Sequence, residues 1–159
     1  HSFPTRRSSD LQASIFLWGR QQIETTGRLK LFESHQTGLA NGHQKRDFVS
    51  VFDVTRVTWK LLELIREGLE LPQKGRFVNV GRGEAVTWLD LGGALFDAMG
   101  RPTAFDFVPM PEQLRAHYQY YTQADLSSLR ELGINAPFLG LQQAFEKALA
   151  AEESAKPTA

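Results

Sequence analysis

The sequence predicts an α/β fold with an incomplete sheet, and three observations predict it. Short apolar runs of strand length alternate with longer segments whose apolar residues recur at helical spacing. Those runs are too few for a complete doubly wound sheet, and no internal repeat supplies more. The length is 159 residues, 42% hydrophobic and 23% charged, which is the balance of one ordinary globular domain with a real core.

The elements follow in order. Residues 12–26 place Ile15, Trp18, Gln22 and Ile23 on one side of a helix that Gly27 closes. Residues 29–32 form a short apolar strand. Residues 33–45 are polar, with Gly38 and an Asn41-Gly42 turn signal, and predict a loop. Strand character resumes over 48–51. Asp53 then suits an N-cap, ahead of the stripe Val54, Val57, Leu61, Leu64 and Ile65, which ends near Gly68. After a loop with Pro72 and Gly75, residues 77–80 read as a strand.

Thr87 and Asp90 have the spacing of a capping box for a helix that buries Leu91, Ala94, Leu95 and Ala98. Gly100-Arg101-Pro102 stops it. Residues 105–108 are another strand, and Pro109-Met110-Pro111 is a rigid corner. A helical turn over 112–116, an extended stretch over 118–121 and a short helix over 125–132 come next. Residues 141–150 form a final helix with Leu141, Ala144, Phe145 and Leu149 inward. The small polar tail, 151–159, is expected to be disordered.

Composition excludes several classes of function. There are 18 basic and 18 acidic residues and the pI is about 7.1, so no electrostatic footprint for nucleic acid exists. No apolar run approaches the roughly 20 residues that span a bilayer. The absence of cysteine removes disulfides, thiolate metal sites and cysteine nucleophiles, and fits a cytoplasmic location. The first eleven residues, His-Ser-Phe-Pro-Thr-Arg-Arg-Ser-Ser-Asp-Leu, resemble the end of a DNA-sequencing adapter translated in frame, and are set aside as a scar. Without Arg6, Arg7 and Asp10 the rest carries one more acid than base.

Few motifs carry chemistry on their own. Gly81-Arg82-Gly83 precedes a helix, but Val86 stands where a dinucleotide fingerprint needs its third glycine, so an ordinary turn is expected. His35 and His43 lie eight apart in a loop and His117 stands alone, which is no zinc-site spacing. No serine sits in a nucleophile elbow, and Glu33 and Asp47 are lone acids of the kind usually solvated. Arg46 is more informative. A guanidinium delivered at a sheet edge can clamp phosphate through two parallel hydrogen bonds, or pair with a local carboxylate; composition leaves both open.

Lys45-Arg46-Asp47-Phe48-Val49-Ser50-Val51-Phe52-Asp53-Val54, then Phe77-Val78-Asn79-Val80-Gly81-Arg82-Gly83, resembles the C-terminal half of extended short-chain dehydrogenase/reductases that act on nucleotide sugars. Three further stretches narrow the likeness: Lys30-Leu31-Phe32-Glu33-Ser34, Phe107-Val108-Pro109-Met110-Pro111, and Tyr118-Gln119 with Tyr121-Thr122-Gln123-Ala124-Asp125-Leu126. Together they are similar to the ADP-L-glycero-D-manno-heptose 6-epimerase family, over residues 12–150.

The resemblance implies a fold that is the C-terminal, substrate-binding portion of an extended Rossmann-type short-chain dehydrogenase/reductase. It implies substrate contacts at Phe32, Glu33, Ser34, Arg46 and Tyr118. It implies an isomerase that inverts C6 of ADP-heptose for the lipopolysaccharide inner core, with NADP carrying the hydride, in a homo-oligomer. The cofactor loop and a Tyr-x-x-x-Lys pair are absent here: Tyr118 is followed four on by Thr122, Tyr120 by Ala124 and Tyr121 by Asp125. The chain alone is therefore expected to be a silent fragment that binds no NADP. Two departures stand out: Ser34-His35 replaces a glycine-serine pair, and Trp18 replaces a histidine that contacts substrate. A UDP-hexose 4-epimerase or related dehydratase is the alternative within the superfamily. A stand-alone, non-catalytic nucleotide-sugar binding module is the alternative of another class.

Overall fold

A computed structural model describes residues 15–70, 77–135 and 137–154. The expected scar, residues 1–11, and the start of the first predicted helix, residues 12–14, lie outside them. Two-stranded pairings and six helices make up the described fold. Helix α1 (Ile15–Thr26) leads into β1 (Leu29–Phe32), β2 (Lys45–Arg46) and α2 (Val51–Arg66). Then come β3 (Val86–Thr87), α3 (Trp88–Ala98), β4 (Phe105–Val108), α4 (Glu112–Arg115), α5 (Ser127–Glu131) and α6 (Leu141–Ser154).

Strands β1 and β4 run parallel, with Leu29 opposite Phe105 and Phe32 opposite Val108. Strands β2 and β3 are antiparallel, with Lys45 opposite Thr87 and Arg46 opposite Val86. An isolated parallel bridge joins Lys45 to Tyr121. The fold is thus α/β with an incomplete sheet, as the alternation of elements predicts.

Helices α1, α3 and α6 cover the β1–β4 pair. Ile23, Leu29, Leu31, Leu91, Leu95, Phe96 and Phe145 bury one continuous cluster there. Close approach of α3 to the strands requires Gly92, where a Cβ would lie 2.6 Å from the Phe105 ring and 2.9 Å from Leu29 Cδ2. The predicted capping box of α3 is present in full. Asp90 N–H donates to Thr87 Oγ1 (3.0 Å) and Thr87 N–H donates to Asp90 Oδ2 (2.9 Å). Gly100 N–H to Asp97 O and Arg101 N–H to Phe96 O close its far end, as the Gly-Arg-Pro stop predicts.

A second cluster forms where Val57 of α2 meets Leu126, Leu129 and Ile134. Here the structure corrects three expectations. Residues 48–51 are not a strand: the ladder is at Lys45–Arg46, and Val51 already belongs to α2. The N-cap is Ser50, whose hydroxyl accepts from Phe52 N–H, because a cap must sit immediately outside the first helical residue. Asp53 instead lies one turn inside, buried, accepting from Leu139 N–H (3.0 Å) and Arg56 Nη2 (2.9 Å).

Residues 77–80 join no ladder among the described residues. Their alternation is real, since Val78 and Val80 pack on the second cluster while Phe77 is 97% exposed. Alternation licenses a one-sided segment, but a strand also needs a paired neighbour. At the other end, α6 continues past residue 150 to Ser154, where Ser154 Oγ donates to Ala150 O.

Candidate functional site

The site is built around β2. Its antiparallel partner β3 lies on one side, and on the other Lys45 N–H donates to Tyr120 O (2.9 Å) while Thr122 N–H donates to Lys45 O (3.2 Å). Three chain segments distant in sequence are thereby locked in register around Arg46. The loop 33–44 is tied to the same place, since His35 N–H donates to the Tyr120 hydroxyl (3.1 Å).

Asp47, next to Arg46, holds this arrangement. Its Oδ1 accepts from Arg82 N–H (2.8 Å), and its Oδ2 accepts from Gly83 N–H (2.9 Å) and Ala124 N–H (3.0 Å). A side chain at residue 81 would block this, since a Cβ there would stand 2.5 Å from Ala124 Cβ and 2.7 Å from Asp47 Oδ2. The expectation that Asp47 is a lone solvated acid is overturned: the carboxylate satisfies three backbone donors of two loops. The Gly81-Arg82-Gly83 turn spends its N–H groups on Asp47, which agrees with its reading as a structural turn.

Beside β2 lies a cavity of about 680 Å³, lined by Trp18, Lys30, Phe32, Arg46, Trp88 and Tyr118, together with Asp47 and Thr122, and with Leu31, Phe48, Val108 and Leu114 among the apolar walls. Phe32, Arg46 and Tyr118, three of the five residues that the resemblance implies, come together there. Glu33 and Ser34 follow β1 into the 33–44 loop and are not among the lining residues. Glu33 N–H continues the β4 pairing to Val108 O, and Ser34 N–H donates to Asn41 Oδ1 (2.8 Å).

The Arg46 guanidinium lies 5.4 Å from the Tyr118 ring centroid, and its Nη1 donates to Gln119 Oε1 (3.0 Å). A neutral amide rather than a carboxylate is its partner, which leaves its charge uncompensated by that contact. Its Nε is buried without a hydrogen-bond partner. Burial pushes the Tyr118 hydroxyl above the ordinary tyrosine range, opposed by the positive charge of Arg46 and the nearby Trp88 indole. Tyr118 therefore stays a neutral hydroxyl at physiological pH. Tyr120 braces its ring edge-on at 5.2 Å.

Sequence reasoning missed Trp88, Lys30 and Gln119 at this site. Lys30 was readable from the strand's alternation; Trp88 and Gln119 gave no signal, because only the β2–β3 register and the Arg46 side chain bring them in. His35, His43 and His117 are not among the lining residues, and no group of three or more metal-ligating side chains occurs among the described residues. No helix among them is long and apolar enough to cross a membrane. A smaller hollow of about 370 Å³, walled mainly by apolar side chains such as Phe16, Phe52 and Phe145, contains none of the five implied residues.

No protein-family model matches the chain. It is 40% identical over 129 residues, 81% of its length, to the ADP-L-glycero-D-manno-heptose-6-epimerase of Nitratidesulfovibrio vulgaris (strain DP4). Over that stretch the chain belongs to the ADP-L-glycero-D-manno-heptose-6-epimerase family. It spans 38% of that relative's length. Among solved structures, the Helicobacter pylori ADP-L-glycero-D-manno-heptose-6-epimerase superposes with a TM-score of 0.63 at 22% identity, covering 95% of this chain and 41% of the other. A UDP-glucose-4-epimerase from Stenotrophomonas maltophila, solved with NAD and formylated UDP-arabinopyranose, gives 0.65 at 21% identity, covering 91% and 41%. The fold is that of the extended short-chain dehydrogenase/reductase epimerases, of which these residues form part.

Proposed function

We propose that this chain is the nucleotide-sugar-binding part of an ADP-L-glycero-D-manno-heptose 6-epimerase, an isomerase that inverts C6 of ADP-heptose with NADP as hydride carrier. The observation that supports it most is the convergence of Arg46, Tyr118 and Phe32 on one cavity large enough for a nucleotide sugar. Arg46 supplies fixed positive charge for the diphosphate, and its contact with Tyr118 limits the rotamers it can adopt. Phe32 and Tyr118 offer flat apolar surface, and the neutral Tyr118 hydroxyl can donate to a sugar or phosphate oxygen. Glu33 and Ser34 belong to the proposed contact set through the loop that begins at the cavity's edge.

The described residues do not fit the nicotinamide cofactor. The one glycine-flanked turn before a helix has Arg82 N–H and Gly83 N–H bound to Asp47, so it offers no phosphate cradle. No tyrosine has a lysine four residues on. Residues 15–154 thus bind and orient substrate, and the isolated chain is expected to show no turnover of ADP-heptose. Cytoplasmic location and homo-oligomeric assembly of the whole protein belong to the same reading.

Isothermal titration of the 159-residue chain with ADP-glucose and UDP-glucose tests it. ADP-glucose is expected to bind at least about tenfold more tightly, a difference of roughly one hydrogen bond's worth of discrimination at the base. Equal binding or a UDP preference overturns the assignment in favour of a UDP-hexose epimerase.

A further inference from the structure

Trp88 is the first residue of α3, and nothing in its role as a helix residue explains how it is held. Its N–H donates to Gln44 O (3.2 Å), and its neighbour Thr87 is both paired to Lys45 in the β2–β3 ladder and fixed by the capping box. Phe48 packs edge-on against the indole, with ring centroids 5.0 Å apart at 74°. Backbone and ring are therefore fixed together, and the ladder that fixes them also fixes Arg46, the residue after Lys45, opposite Val86. The indole lines the same cavity as Arg46 and Tyr118.

The chemistry left open is one-sided. Trp88 Nε1 and Arg46 Nε are both buried and neither completes a hydrogen bond, although both side chains approach the Tyr118 hydroxyl closely enough to favour its ionised form. An indole N–H and a guanidinium N–H can only donate. Such buried donors cost free energy until an acceptor arrives. The charged groups lining the cavity are Lys30, Arg46 and Asp47, and the Asp47 carboxylate is already engaged by three backbone N–H groups. Two cations, two open donors and a committed acid favour an anionic ligand rich in acceptors, which for this cavity means a phosphoryl group.

We propose that Trp88 is a ligand-binding residue whose indole N–H, together with Arg46 Nε, donates to the phosphoryl oxygens of the bound nucleotide. This rests on the nucleotide-sugar reading of the cavity and adds to it a contact that the resemblance does not imply. The indole is a pre-positioned donor, so little ordering cost accompanies the bond.

The test is calorimetric titration of the 159-residue chain and its Trp88→Phe variant with adenosine, ADP and ADP-glucose. Phenylalanine keeps a ring against Phe48 and removes only the N–H side of the indole. ADP and ADP-glucose are expected to bind about tenfold more weakly to the variant, as for loss of one hydrogen bond to a charged group, while adenosine binding stays unchanged. Unchanged ADP affinity overturns the proposal, and so does an equal loss for adenosine, which marks a purely structural role. If the unmutated chain binds neither ADP nor ADP-glucose, the nucleotide-sugar reading fails and this contact with it. Should Trp88→Phe fail to fold, Trp88→His keeps a ring N–H and is expected to hold ADP within about threefold of the unmutated chain; a larger loss in a folded Trp88→His overturns the proposal.

Discussion

The two hydrophobic clusters are held together differently. Around β1 and β4, four regular elements contribute buried side chains: Ile23 from α1, Leu29 and Leu31 from β1, Leu91, Leu95 and Phe96 from α3, and Phe145 from α6. Around α2, the buried apolar side chains of the cluster are Val57, Leu126, Leu129 and Ile134, and much of the remaining contact comes from segments outside any helix or ladder, such as Val78, Val80 and Phe138. That second region is stitched by carboxylates instead. Asp47 binds the 82–83 turn and residue 124, and Asp53 binds Leu139 N–H. The first cluster is stabilised by apolar area, which is non-directional, and the second by directional bonds to specific backbone groups. The cavity beside β2 draws on both: Leu31 and Trp88 from the first, Arg46 and Asp47 from the seam with the second.

The largest expected effect lies in the first cluster. Leu95 is fully buried between α1, α3 and the strands, so Leu95→Ala is expected to cost about 3–4 kcal/mol in denaturant unfolding, from lost transfer energy plus a residual cavity. A loss below about 1 kcal/mol means the site collapses and the cluster is not close-packed. The second region gives a sharper contrast. Asp47→Ala removes few apolar atoms but strands three backbone donors, so about 2–3 kcal/mol is expected, partly relieved where water can enter. If the same substitution is neutral, the carboxylate does not carry the stitching, and the two regions do not differ as described. Because Asp47 adjoins Arg46, the variant is also expected to weaken ADP-glucose binding, read by the same titration that measures the unmutated chain.

The same difference decides what was legible in the sequence. Where packing comes from periodic apolar residues, the reading succeeds: α1, β1, α3, β4 and α6 lie where the spacing puts them, and the Thr87–Asp90 capping box is visible because both its residues are local. Where order comes from a side chain bonding backbone far along the chain, spacing is silent. Asp47 reaches residue 124, and Asp53 reaches Leu139; neither separation leaves a local pattern. Residues 77–80 show the converse, since a strand-like alternation was present without a partner strand among the described residues. At the cavity, Arg46 was legible from its motif, whereas Trp88 depends on the β2–β3 register, which only a folded chain reveals.

The smallest effect tests a local bond in the well-ordered region. The Thr87 hydroxyl, and then the Thr87 backbone N–H, hold the Asp90 carboxyl below the ordinary aspartate value of 3.8. A group lowered in the folded state stabilises it above its unfolded value, and that contribution disappears as pH falls through the folded value. Asp90→Asn is therefore expected to cost about 0.5–1 kcal/mol at pH 6, the usual worth of a helix cap. The difference between the two proteins should shrink once the pH passes below about 3.8 and vanish when the carboxyl is fully protonated. Thermal midpoints measured from pH 6 to pH 2 read this directly. A gap that persists undiminished at pH 2 assigns the effect to side-chain shape rather than to the charge at the N-terminus of α3. A gap that closes shows that, even in the cluster dominated by apolar area, the helix bearing Trp88 starts where it does because of one ionised side chain.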